Sequence, residues 1–412
     1  MARQATGGHI DEKHGSEAVG QTPLSTAEWL PVVVRVPVKA ELLAWARERS
    51  GSDPGHLSRK FPQLAQWESG DRLPTLKQLE RYALATHTPV GLLLLPEPPE
   101  ERVPIPDFRT VGDLALARPS ADLLDTIFVC QQRQEWYQNF ARTSREERVP
   151  FVGSLNVNTE IQEAATAIRQ LLDFEVEDRG STWSEGLRRL IENAESLGVL
   201  VMVSGVVGSN THRKLDPNEF RGFALVSALA PLIFINGADT KAAQIFTLAH
   251  EIAHIWLGES ALDDADLRAR PSDAMERWCN QVAAEMLVPL DALPEAFGQA
   301  EPLTEELERL AYRFKVSTLV VLRRIYDGGA LSWDAYRNAY RAELDRVLSL
   351  RESTGTGGNF YNTQPVRVSK RFARAVIGST LEGQTLYRDA FQLLGFRKTS
   401  TFNELAHRLG IT

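Results

Sequence analysis

The chain has 412 residues, 43% hydrophobic and 24% charged, a composition ordinary for a soluble globular protein with room for more than one domain. A net charge of −8 excludes nucleic-acid binding by bulk electrostatics and leaves it to a local basic patch. The two cysteines, Cys130 and Cys279, exclude a disulfide framework, no apolar run reaches the roughly 18 residues a membrane span needs, and residues 1–22 lack the apolar core of a signal peptide, so a cytoplasmic protein is expected.

Residues 1–25 are polar and Gly-rich and read as a disordered tail. Residues 26–97 read as a helical domain: Leu42, Leu43, Trp45 and Ala46 mark one amphipathic helix, and Leu57 with Phe61 a shorter one. Pro74-Thr75 opens a further helix whose apolar face is Leu76, Leu79, Tyr82 and Ala83. Trp67-Glu68-Ser69-Gly70 and Pro74-Thr75-Leu76 make this stretch resemble the helix-turn-helix domain of the Xre/Cro repressor class. Little room for a turn and a recognition helix remains between Leu57 and Trp67, and Pro62 breaks any helix begun there. From Lys39 to Arg81 there are eight Lys/Arg against six Asp/Glu, a thin surplus for a phosphate-binding surface. Two readings stand: a DNA-binding domain, or a docking domain that kept the fold and lost the DNA helix.

Residues 98–157 hold a Pro-rich connector, semi-rigid in character, and then a helix near 121–142 with Leu123, Leu124, Ile127, Phe128, Trp136 and Phe140 on its apolar side. That face is expected to pack against the next domain or against a second copy in a homodimer. From about residue 158 the pattern becomes mixed. Helices are marked by Ile161–Leu171 and Leu187–Ala194, and strands by 198–203, 223–226 and 232–235, the last ending at the turn signal Asn236-Gly237.

The next helix carries His250-Glu251-Ile252-Ala253-His254. Residues four apart lie on one helix face, so His250 and His254 can hold a single ion, and Glu251 lies within reach of a water on it; this is zinc-hydrolase spacing. The flanking residues are almost all apolar, and burying two imidazoles and a carboxylate there calls for a partner such as a metal. A catalytic site needs a third protein ligand. Glu276, on a helix expected from Asp273 to Leu287, is the best placed, with Asn280 one turn on to hydrogen-bond a ligand histidine. Glu285 is either an alternative ligand or a buried structural acid. His212, Arg213, Arg277 and Tyr312 stand as donors for an oxyanion, with nothing to choose among them. Helices continue to about residue 350. Residues 351–412 begin with a Gly/Thr linker and hold nine Lys/Arg against four Asp/Glu. A solvated helical face is the commoner source of such an excess; contact with nucleic acid or an acidic partner is the other.

Arg221-Gly222-Phe223, Pro231–Asn236, Phe246–Glu251, Glu276, Asn280, Ala283–Glu285 and Leu287-Val288-Pro289 together resemble the ImmA/IrrE family of zinc metallopeptidases over roughly 158–330. The resemblance implies an α+β domain of thermolysin-like (gluzincin) type with a small sheet, within a multidomain, mainly α chain. It implies one Zn2+ per chain held by His250, His254 and Glu276, with Glu251 as general base, in a peptidase domain set at 158–350. It also implies a protein substrate: an Xre-class repressor or another toxin-locus protein. Contact with DNA, where made, is expected through 26–97 or 351–412, and no membrane contact is expected. The other function class left open is an antitoxin-like or DNA-binding regulator whose peptidase fold mainly binds a partner.

Overall fold

The computed structural model describes residues 34–51, 53–101, 103–105, 119–262, 274–296, 298, 302–351 and 367–411. The expected tail, the Asp- and Pro-rich loop after the motif helix and the Gly/Thr linker lie outside them. The chain divides into two units, residues 1–47 with 52–98 and residues 48–51 with 99–412.

In the first unit, helix α1 (Ala40–Arg49) is followed by α2 (Pro54–Lys60), α3 (Leu64–Glu68) and α4 (Leu76–Ala85). Asp53 caps α2 by accepting from the His56 amide at 2.8 Å, with Pro54 in the first turn where its missing N–H is harmless. Thr75 and Gln78 form a reciprocal capping box at the start of α4, where Pro74-Thr75 places it. Leu43, Leu57, Phe61, Trp67, Leu79 and Tyr82 share a core, and the Tyr82 hydroxyl donates to the Leu43 carbonyl at 2.7 Å. The squeeze around Pro62 has its expected consequence: α3 is five residues long.

The second unit is built on a sheet. Its strands are β1 (Leu200–Ser204), β2 (Gly222–Leu225), β3 (Leu232–Asn236) and a two-residue β4 (Ala261–Leu262), in the order β1-β3-β2-β4. β1 runs parallel to β3, and the other pairings are antiparallel. The sequence anticipates the first three strands and misses β4. The helices are α5 (Ala121–Thr143), α6 (Ile161–Leu171), α7 (Trp183–Ser196), α8 (Lys241–Leu257), α9 (Ala274–Leu287), α10 (Leu293–Ala296), α11 (Leu303–Phe314), α12 (Thr318–Asp327), α13 (Trp333–Arg351), α14 (Lys370–Leu381), α15 (Tyr387–Leu394) and α16 (Thr399–Arg408).

Side chains alternate across a strand, so β1 and β3 send residues into two cores. Val201, Val203, Ile233 and Ile235 join residues of α6 to α9 in one. Leu200, Met202, Leu232 and Phe234 join α5 and α14 to α16 in the other. α5 thus buries Leu123, Ile127, Cys130 and Tyr137 within its own chain. Phe128 departs from the apolar side assigned to it and is 48% exposed. Cys130 and Cys279 are buried and form no disulfide. Among the described residues no helix is long and apolar enough to cross a membrane.

Candidate metal centre

α8 starts where Thr240 accepts a hydrogen bond from the Ala243 amide at 3.2 Å. It stops at Gly258, which takes φ 82° and turns its amide back to the His254 carbonyl at 3.0 Å. A side chain at 258 would also meet the Gly153 Cα at 2.9 Å, so the glycine both ends the helix and lets another backbone pass. Between these caps α8 is buried almost throughout, between the sheet and α7 and α9.

His250, Glu251 and His254 are fully buried. The Nε2 atoms of the two histidines are 3.0 Å apart. Glu276, from the first turn of α9, brings Oε2 to 3.3 Å from His250 Nε2 and Oε1 to 3.1 Å from His254 Nε2. Burial alone would push the Glu276 carboxyl up; hydrogen bonds and charge from His250 and His254 outweigh it and hold the group below the usual carboxylate range. Two imidazoles and one carboxylate are a donor set that zinc takes. Tetrahedral bonds of about 2.0–2.1 Å separate donors by roughly 3.3 Å, close to the separations found, so the residues fit the ion.

Asn280 is partly buried on α9 and forms no hydrogen bond with either histidine. Glu285 lies outside the cluster: its carboxylate is paired with the Arg324 guanidinium and accepts the Leu290 amide at 3.2 Å. Of the two roles open to it, the buried ion pair is the one seen. Arg213 is held by Asp122 at 2.6 Å and Asp125 at 2.7 Å. Tyr312 packs edge-on against Trp183. Arg277 is exposed on α9, and His212 is exposed in the segment after β1.

One residue at the centre carries no functional group. A Cβ at Gly222, the first residue of β2, would stand 3.3 Å from Glu251 Oε1, so the strand's bare backbone passes the motif helix beside the carboxylate. A glycine inside an apolar strand was the available signal for such an approach.

Residues 194–326 match the family model described as the IrrE N-terminal-like domain. That range holds the sheet, the motif helix and Glu276, and so covers the whole cluster. A relative, the radiation response metalloprotease IrrE of Deinococcus radiodurans, is 38% identical over 91 residues, which make up 21% of this chain and 28% of that protein. The chain therefore spans under a third of that relative's length. Residues 368–408, the three helices α14 to α16, match a domain of unknown function, DUF8813. No solved structure gives a significant match.

Proposed function

We propose that this chain is a regulatory zinc-dependent endopeptidase that cuts a specific partner protein, an Xre-class transcriptional repressor. The observation that carries the proposal is the convergence of His250, His254 and Glu276, all buried, from two helices. His250, His254 and Glu276 would hold the zinc, whose chemistry is to lower the pKa of water towards about 7 and to polarise a carbonyl. Glu251 takes a proton from the attacking water and returns it to the leaving amine. Gly222 lets the backbone of β2 pass close beside that carboxylate. The first unit is read as a docking domain that restricts cleavage to one partner, a reading supported by an α3 of five residues, short for a DNA recognition helix.

The test is elemental analysis with a cleavage assay on an Xre-class repressor offered as substrate. The native protein is expected to contain one zinc per chain. Glu251→Gln should retain it yet lose cleavage by about a hundredfold or more, whereas Glu276→Ala should lose both. A native protein without zinc, or a Glu251→Gln variant cutting at the wild-type rate, would overturn the proposal. A zinc-loaded protein that binds the repressor and leaves it intact would favour the partner-binding regulator instead.

A further inference from the structure

α15 and α16 are joined by four residues, Gly395-Phe396-Arg397-Lys398, with Gly395 at φ 72°. The short turn and its left-handed glycine match the connection of a helix-turn-helix, and Ala390, Leu394, Phe396, Phe402 and Leu405 are buried on the inner side of the two helices. Size separates this motif from the α2–α3 pair of the first unit. Five residues of α3 make about 7.5 Å of helix, under two turns, and the ten of α16 about 15 Å, nearly three turns. The outer face of α16 shows Thr399, Ser400, Asn403 and His407, all exposed and capable of hydrogen bonding, beside an exposed Glu404 neutralised by Arg408 at 2.7 Å.

Charge points the same way. Residues 367–411 hold eight Lys/Arg and three Asp/Glu in a chain whose net charge is −8. Several of these cations are paired, Lys370 with Glu192 and Arg371 with Glu146. Arg397 and Lys398 are exposed and face no carboxylate among the described residues. They line a groove of about 840 Å³ between the turn and the segment after β1, together with Ser209, Asn210, His212 and Thr401. Among the described residues its lining contains no acid. A second groove, beside Lys370, Arg371 and Arg374, is lined by Glu146, Glu192 and Glu195 as well and so balances its own charge. At Gly395 the two walls touch, since a Cβ there would run into Ser209 Oγ; the turn is seated against the sheet segment.

We infer that the helix-turn-helix of α15 and α16 binds duplex DNA, with Arg397 and Lys398 on the phosphate backbone and the outer face of α16 towards the groove. The inference is independent of the peptidase reading.

The test uses the full chain, a fluorescent mixed-sequence duplex of about 30 base pairs, and anisotropy over a salt series starting near 50 mM. The wild type should bind at low salt and weaken steeply as salt rises. Arg397→Glu with Lys398→Glu should weaken binding by at least about tenfold and cut the slope of log K against log salt by about 2, since each phosphate contact contributes about 0.9. Both positions are exposed, so thermal melts should match the wild type; should the reversal disturb the fold, Arg397→Gln with Lys398→Gln decides. Unchanged affinity and slope in a folded variant would overturn the inference, as would an absence of duplex binding at low salt. So would loss of binding on Arg59→Glu with Lys60→Glu in α2 alone, which would move the DNA contact to the first unit. Tighter binding of a single strand of the same sequence would refute duplex recognition.

Discussion

A Cβ added at Gly222 would stand 2.6 Å from Thr247 Cγ2 and 2.8 Å from the Phe234 carbonyl oxygen, besides nearing Glu251. The threonine can turn away; the carbonyl belongs to the β2–β3 ladder, where Phe223 is registered with Phe234. Gly222→Ala is therefore expected to destabilise the second unit by about 1–3 kcal/mol, as overpacking does. Adding Thr247→Ala should restore part of that and not all, because the backbone contact persists. Urea unfolding of both variants checks this, and full recovery in the double variant would show that the side-chain clash was the whole effect. Glu285 makes the complementary point. With Arg324 it forms a buried pair, and Arg324 also donates to the Val288 carbonyl at 2.9 Å, so the pair pins the end of α9. The same helix thus carries one glutamate facing the histidines and another facing an arginine.

The start of α14 is tied to the end of α7. Ser369 donates from Oγ to Glu195 Oε1, the Lys370 amide donates to the same oxygen at 2.9 Å, and the Lys370 ammonium meets Glu192 at 2.8 Å. Burial pushes the Glu195 carboxyl up, against the lowering effect of Ser369 and the Lys370 and Arg371 backbone. A carboxyl with a folded-state pKa above its unfolded value favours folding fully below the unfolded pKa, and the benefit is lost as pH rises through the folded one. Glu195→Gln keeps an acceptor for both donors and cannot ionise. Its stability relative to the wild type is expected to increase from pH 4.5 towards pH 7.5, read from urea unfolding across that range; a relative stability that falls over the same interval would contradict the sign. At this scale the sequence was most informative where the chemistry was local. His250, Glu251 and His254 sit within two turns of one helix, and Glu276 opens the next helix after a single loop. Spacing alone ranks Glu276 above Glu285, but showing Glu285 as a buried ion pair required Arg324, 39 residues beyond it, and showing Arg213 engaged elsewhere required Asp122, 91 residues before it. Pairings of that span leave no periodic trace in a sequence, whereas an amphipathic helix or an apolar strand does.

β1 and β3 are buried at every position, with no polar alternation in Leu200–Val203 or Leu232–Ile235. Such runs mean a sheet covered on both sides. One cover is the α6–α9 layer with the candidate metal centre. The other includes α14 to α16, so the basic C-terminal segment is also a structural wall. Phe372, Val376, Ile377, Leu394, Phe396, Phe402 and Leu405 are buried in that second core. At about 2 kcal/mol for each side chain withdrawn from water, their gross contribution exceeds about 10 kcal/mol before the entropy of ordering the segment is subtracted. A whole domain is stable by only about 5–15 kcal/mol. A chain ending at residue 350 should therefore bare the face carrying Met202, Phe223 and Phe234, bind a hydrophobic dye and aggregate, although His250, Glu251, His254 and Glu276 are all retained. The truncated protein is expected to lose zinc and cleavage together with its fold, while Arg397→Glu with Lys398→Glu in the full chain should leave both intact. A soluble, monomeric, zinc-containing product from the shortened chain would show that the second cover is dispensable. The paired result expected here would mean that the same three helices close the sheet from one side while Arg397 and Lys398, on the exposed turn, take no part in that closure.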